Sequence, residues 1–246
     1  MIGVDDFRDW PAPPRVRAVQ TLRGGGVSAP PFDTLNLAAH VGDAAEAVAT
    51  NRQRLRRALQ LPSEPVWLQQ VHGTEVVELR SADAGTPCAD GAWTSVPGVV
   101  CAVLSADCLP VLLAASDGSI VAAVHAGWRG LAAGVLEAAV AALPVPPARL
   151  RACFGAAIGP QAYEVGADVH AAFVSDDATA GACFVAVRRG HWLADLYGLA
   201  RLRLQRAGVV SIHGGGRCSY RSAERYFSHR RDGVCGRMAS LIWISC

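Results

Sequence analysis

Two histidines and a cysteine, His72, Cys108 and His125, stand where apolar runs of this 246-residue chain break off. Two imidazoles and a thiolate form a sound three-ligand set for zinc, with a fourth position left for water or substrate. Zinc held in this open way lowers the pKa of water to about 7, which generates hydroxide near neutral pH. The same residues allow a different chemistry, with Cys108 as a thiolate nucleophile and His125 as its base, the arrangement of a cysteine hydrolase. Tens of residues separate the three, so spacing alone does not bring them together. A structural cysteine with two surface histidines is the plainer alternative. His40, His170 and His191 carry no motif that recommends them.

The elements that must position these residues centre on the stretch 99–130, VVCAVLSADCLPVLLAASDGSIVAAVHAGWRG. It reads as strands at 99–106 and 119–126 with a third apolar run at 109–115, the last two joined by the hairpin signal Asp117-Gly118. Cys108 falls at the break between the first two runs. His125 closes the third, before Gly127-Trp128-Arg129-Gly130 leads into an alanine-rich helix over 131–143. Chemistry gathers at such strand ends, because the backbone is fixed on one side and the side chain is open on the other.

Upstream, a proline-rich extended lead precedes a strand at 16–23. Gly24-Gly25-Gly26 makes either a plain turn or a place where backbone approaches a ligand closely. Residues 32–43 form a long loop, and 44–59 an amphipathic helix with Val48, Leu55 and Leu59 inward and its arginines outward. Residues 65–79 read as two strands joined at 71–74, which puts His72 in a turn. A short loop at 88–95 carries Asp90. Downstream come a strand at 149–159, a helix at 165–173 and a strong helix at 191–209 with Gly208 as its C-cap. A strand running into a glycine loop at 209–218 and a terminal strand at 240–244 complete the chain. This irregular alternation, with no repeat and no visible boundary, predicts a single α/β domain over 1–246, with helices layered on a central mixed β-sheet.

Composition sets the outer bounds. With 51% hydrophobic and 18% charged residues, the chain reads as globular rather than disordered. A net charge of +2 and no concentrated basic run argue against nucleic-acid or membrane-surface partners; the arginines of 52–57 read as a solvated helix face. No apolar stretch approaches bilayer length, and the opening MIGVDDFRDWPAPP has acids and prolines where a signal peptide needs basic and apolar residues, so a cytoplasmic location is expected. The eight cysteines, at 88, 101, 108, 153, 183, 218, 235 and 246, show no CxxC spacing and argue against disulfides; most read as small apolar residues in strands or near the core, while Cys108 differs in having Asp107 and Pro110 beside it.

Six separated motifs say more together than any one alone. QVHGTEV (70–76), ADGAWT (89–94), ADCLPVLL (106–113), AVHAGWRG (123–130), IGPQAYEVG (158–166) and FSHRRDGVCGRMASLIW (227–243) resemble, in this order, the bacterial laccase-domain family. That family was long labelled multicopper polyphenol oxidase and includes the peptidoglycan editing factor and purine nucleoside phosphorylases. GGVS (25–28), LNLAAHVGD (35–43) and NRQRL (51–55) extend the likeness almost end to end. The resemblance implies a zinc held by His72, Cys108 and His125, with copper as an alternative metal. It implies phosphorolysis of the purine nucleosides adenosine, inosine and methylthioadenosine, with phosphate as co-substrate, and hydrolytic deamination of adenosine. Zinc deaminases add a carboxylate as proton carrier. Asp90 or Asp107 could supply it, and Asp107 beside a ligand could equally support that ligand from behind. Phosphorolysis needs a cationic cradle, and Arg129, Arg230, Arg231 and Arg237 sit inside the matching motifs.

The older family label poses a rival, copper-dependent oxidation of phenols. A multicopper oxidase needs a His2Cys site and a further histidine-rich cluster, whereas this chain has seven histidines, no His-x-His pair, and only Met1 and Met238 as methionines. Peptidoglycan editing, the removal of a misplaced amino acid from a wall precursor, would suit the hydrolase of Cys108 and His125. A metal-stabilised binding protein that turns nothing over is a further alternative. The family usually reads Thr-Arg-Gly-Gly-Val-Ser where this chain has TLRGGGVS at 21–28, which leaves the placement of Arg23 open. The oligomeric state is not fixed by the sequence.

Overall fold

The computed structural model describes residues 2–7 and 10–245. Met1 and Cys246, counted above among the methionines and cysteines, lie outside the described residues, as do positions 8 and 9 of the extended lead. In chain order the elements are β1 (Val4–Asp6), β2 (Val16–Thr21), α1 (Ala45–Ala58), β3 (Val76–Glu78), β4 (Gly91–Thr94), β5 (Val100–Ser105), β6 (Leu109–Ala115) and β7 (Val121–Ala126). Then follow α2 (Trp128–Ala133), α3 (Val135–Ala142), β8 (Leu150–Phe154), β9 (Glu164–Gly166), α4 (Ala167–Val174), β10 (Phe184–Arg188) and β11 (His191–Ala194). The chain ends with α5 (Leu196–Arg206), β12 (Ser211–Gly214), α6 (His229–Asp232) and β13 (Met238–Ile244).

Two sheets are stacked. One has the order β1-β2-β13-β5 and is antiparallel throughout; the other, β12-β8-β6-β7-β4-β3, is mixed, with parallel pairs at both edges. Side chains alternate between the faces of a strand, and here both faces are covered. On β5, Cys101 and Val103 meet Leu112, Ala114, Val121 and Ala123 of the facing sheet. Val100, Ala102 and Leu104 turn the other way and pack with Leu55 of α1. The outer face of the mixed sheet, through Val111, Leu113, Ala122 and Val124, is covered by Leu131, Leu136, Leu199 and Leu204 of α2, α3 and α5. Burial on two sides explains why these strands read as unbroken apolar runs. The mixed sheet with helices on it is the expected α/β arrangement; a third, three-stranded sheet, β10-β11-β9, shares no ladder with either, and its Val165, Phe184 and Ala194 join the core on the outer face of the mixed sheet. No helix among the described residues is long and apolar enough to cross a membrane.

Several elements differ from the sequence reading, each for a local reason. The helix expected over 131–143 begins earlier and is two helices, because Gly134 takes φ +98 and ends α2 before α3 starts. Of the two strands expected over 65–79 only β3 forms a ladder. The segment before it crosses between sheets, bridging Cys101 through Val66 and Cys88 through Gln69. The loop expected at 88–95 contains β4, paired with both β3 and β7. The long helix expected at 191–209 starts only at Leu196, since 191–194 are paired as β11 between β9 and β10. The extended lead contains β1, while α1 lies within the expected bounds with Val48 and Leu55 buried.

Candidate metal centre

At one end of the mixed sheet the register brings separated residues side by side. Gly91 pairs with Val124, and the His125 amide donates to the Asp90 carbonyl at 2.7 Å, so Asp90 and His125 are neighbours across β4 and β7. Their side chains meet, Asp90 Oδ1 lying 2.8 Å from His125 Nδ1. A carboxylate can only accept, so the Nδ1 proton points at Asp90 and Nε2 is left as the nitrogen that could face a metal ion. Asp90 also organises the second histidine. The turn at 71–73 wraps its carboxylate, which accepts from the amides of Val71 (3.1 Å), His72 (3.0 Å) and Gly73 (2.7 Å). His72 itself takes φ +60, a left-handed conformation that this ring of amides holds in place.

Cys108 immediately precedes β6, and Leu109 pairs with Ala126, which carries the thiol to the same edge. One ligand atom each from His72, Cys108 and His125 lies within 4.8 Å of the others. The two imidazole rings stand edge to face, 4.8 Å between centroids. Gly127 leaves the room they need: a Cβ there would fall 2.7 Å from His72 Nδ1 and 3.1 Å from Cys108 Sγ. Gly130 performs the same service for the backbone, since a Cβ would sit 2.8 Å from the Gly73 carbonyl. Two nitrogens and one sulfur, convergent and backed by a carboxylate, fit a zinc or copper ion.

The charges follow from this packing. Burial lowers the His125 pKa, but the neighbouring Cys108 thiol and the Asp90 hydrogen bond outweigh it and push His125 up to about 9. His72 is lowered, by partial burial first and then by the charge of His125, with Asp90 opposing. For Asp90, burial acts to raise the pKa, yet the bonds from His125, Gly73 and Val71 hold the carboxyl below its ordinary value.

The three ligands open into a cavity of about 380 Å³ whose lining includes Arg129, Arg230, Arg237, Trp128 and Tyr163. Arg129 stacks over the Trp128 ring at 4.4 Å, and its guanidinium makes no hydrogen bond among the described residues. Arg230 donates Nη1 to the Glu164 carbonyl at 2.8 Å and lies over the Tyr163 ring. Arg237 is anchored through Nη1 to the carbonyls of Cys235 and Gly236. Arg231 does not line the cavity; its guanidinium is spent on Asp232 and on the carbonyls of Ser219, Tyr220 and Tyr226. Asp107 lines the cavity, but its carboxylate accepts from Ser219 Oγ and from the Arg230 amide, each at 2.6 Å, and so ties the Cys108 strand to α6.

Two histidines that no sequence reasoning singled out, His40 and His229, also line this cavity, together with Gln70 and Ser105. His40 lies within LNLAAHVGD and His229 within FSHRRDG, so membership of a matching motif was the available signal. His170, stacked on Trp192, and His191, beside Glu164, lie elsewhere. The glycine loop is not a ligand cradle here: a Cβ on Gly26 would fall 2.1 Å from the Thr34 carbonyl, so the close approach is to its own chain. Arg23 bonds Asp33 and the Ala223 carbonyl and stacks on Phe227, a structural placement.

Stacked sheets that bring two histidines and a cysteine together beside an arginine-lined cavity define an α/β protein with a donor group that could hold a metal ion. The chain belongs to the multi-copper polyphenol oxidoreductase laccase family, whose model matches residues 17–245. It is 56% identical over 249 residues to a purine nucleoside phosphorylase of Xylella fastidiosa, covering 97% of this chain and 96% of that protein. It is 51% identical to the purine nucleoside phosphorylase YfiH of Escherichia coli, covering 96% of each. Among solved structures, a Neisseria meningitidis protein superposes with a TM-score of 0.94 at 47% identity, covering 100% of this chain and 99% of that one.

Proposed function

We propose that this chain is a zinc-dependent purine nucleoside phosphorylase of the cytoplasm, acting on adenosine, inosine and methylthioadenosine. The observation that carries the reading is one cavity holding both a convergent His72–Cys108–His125 donor group and the guanidinium groups of Arg129, Arg230 and Arg237, which have no carboxylate paired to them among the described residues. Relatives named purine nucleoside phosphorylases, alike over nearly their whole length, favour the same reading. In phosphorolysis a phosphate oxygen bonds to the sugar C1′ while the bond to purine N9 breaks, giving the base and a sugar 1-phosphate. The dianion must be held and its charge answered, a role suited to the forked guanidiniums of Arg129, Arg230 and Arg237. His72, Cys108 and His125 would hold the zinc and Asp90 would orient both imidazoles. A zinc so bound supplies Lewis-acid polarisation of a neighbouring oxygen.

Adenosine deamination would be a second, weaker activity. It calls for a carboxylate proton carrier. Asp90 is fully enclosed, and Asp107, the one acid lining the cavity among the described residues, is already engaged by Ser219 and the Arg230 amide. Copper oxidase chemistry is disfavoured, because the described residues contain a single such metal-ligating group, where several copper ions would need more.

The test is chromatography with mass detection on zinc-quantified protein given inosine and phosphate, beside His72→Ala. Hypoxanthine and ribose 1-phosphate are expected from the wild type alone. Chelation should abolish the reaction and added Zn²⁺ restore it; phosphorolysis that survives complete chelation would remove the zinc dependence, and no phosphorolysis together with chelator-resistant release of an amino acid from a peptidoglycan precursor would point instead to the Cys108–His125 hydrolase.

A further inference from the structure

Two groups in the cavity have no part in the metal chemistry. They are His40, on the loop before α1, and Arg237, just before β13. They are distant in sequence, but one buried side chain fastens their segments together. Asn36 Oδ1 accepts from the Ala38 and Arg237 amides, both at 3.0 Å, while Nδ2 donates to the Ala38 carbonyl and to Asp43 Oδ2. Every donor and acceptor of that amide is used. Asn51 fixes the same loop from α1, donating to Ser28 Oγ and to the Thr34 and Asn36 carbonyls.

Arg237 is held and yet available. Its Nη1 donates to Cys235 O at 2.8 Å and Gly236 O at 3.1 Å, which leaves Nε and Nη2 without a partner among the described residues. That Nε/Nη2 edge is the one a guanidinium uses to grip an oxyanion with two parallel bonds. Arg52, stacked on Trp67 and bonded to the Leu37 carbonyl, adds a second positive charge near His40. Burial, then Arg237, then Arg52 lower the His40 pKa, so two positive charges act on this imidazole. Arg230 is likewise bonded through Nη1 alone, to the Glu164 carbonyl, and lies over the Tyr163 ring, but no such bond joins it to the segment that carries His40; Arg129 has no anchoring bond among the described residues.

The geometry points to a subsite for a tetrahedral oxyanion formed by His40 and Arg237, with Asn36 as the residue that positions both. The identification of that oxyanion as the phosphate co-substrate rests on the phosphorylase reading; its binding does not.

Calorimetric titration of inorganic phosphate into metal-loaded protein tests the subsite, alongside steady-state phosphorolysis of inosine. His40→Ala removes an exposed side chain and leaves the core intact. His40→Ala and Arg237→Gln should each weaken phosphate binding about tenfold or more, with the KM for inosine changed by less than about twofold. Arg57→Gln removes an exposed charge from α1 and should leave phosphate binding unaltered. Wild type that binds no phosphate overturns the proposal. So does His40→Ala that binds it undiminished, or that loses phosphate and inosine in equal measure, whether or not Arg237→Gln folds. Protein that binds phosphate through these residues but never cleaves inosine keeps the subsite and removes phosphorolysis. A phosphorylase whose phosphate KM ignores both substitutions does the reverse.

Discussion

Asp90 and His125 face each other across adjacent strands, Oδ1 to Nδ1 2.8 Å, with exposures of 0% and 3%. The same carboxylate gathers the three amides of the turn that presents His72. His72 and His125, far apart in sequence, therefore depend on one buried acid, and the geometry of the donor group is set from behind it.

Replacing that acid with its amide should show this directly. In Asp90→Asn one acceptor becomes an NH₂ that opposes donor amides, so zinc affinity should fall by about 10–100-fold, read by competition with a chelator. The metal-free protein gives a second measurement. Asp90 has a pKa held below its ordinary 3.8, and a depressed carboxyl contributes stability that is present above the unfolded pKa and lost as pH falls through the folded one. The Tm gap between wild type and variant should be full at neutral pH and close in acid. A gap that widens on acidification would contradict the arrangement.

Gly127→Ala probes the opposite side of the ligands. Its Cβ would meet His72 Nδ1 at 2.7 Å and Cys108 Sγ at 3.1 Å, and Gly127 has an ordinary φ of −66, so the effect is collision rather than backbone strain. Bound zinc measured by mass spectrometry should drop well below one per chain, while circular dichroism stays native. Gly181→Ala, with nothing within 4 Å of the new methyl, should retain its metal.

Asn51 carries a stability prediction. It is fully buried, donates to three acceptors and accepts the Val27 amide at 2.9 Å. Asn51→Ala leaves these groups unpaired and should cost about 2 kcal/mol or more in urea unfolding. A cost below half that would mean that water replaces the network.

This network also shows where sequence reading stops. GGVS, LNLAAHVGD and NRQRL were visible as motifs, but that they form one hydrogen-bonded unit through Ser28, Asn36 and Asn51 depends on long-range packing. The runs that became β5, β6 and β7 were legible because burial on both faces leaves no polar interruption. That β5 pairs with β13, from the far end of the chain, and not with β6, has no local signal. His191–Ala194 read as helix because its apolar residues continue the spacing of α5, and only Asp195 at the N-cap marks the break. His72, Cys108 and His125 stood out by ending apolar runs. His40, Tyr163 and Asp90's hold on two histidines arise from pairing that spacing does not reveal.

The four candidate arginines separate by what already holds them. Arg231 gives its guanidinium to Asp232 and to three backbone carbonyls, tying the loop at 219–226 to α6. Arg129 lies in the cavity with no hydrogen bond to the protein among the described residues. Arg231→Ala should therefore lower Tm, because three backbone carbonyls, two of them partly buried, lose their donor, while the KM for phosphate in the folded enzyme changes little. Arg129→Ala should leave Tm near the wild-type value and lower kcat/KM for inosine phosphorolysis by about tenfold or more, the loss of a charged contact to an anionic reactant. Thermal melts and steady-state rates on the same two preparations decide it. The reverse pattern, a stability loss at Arg129 and a catalytic loss at Arg231, would mean that Arg231, and not Arg129, serves the anion beside the other cavity arginines.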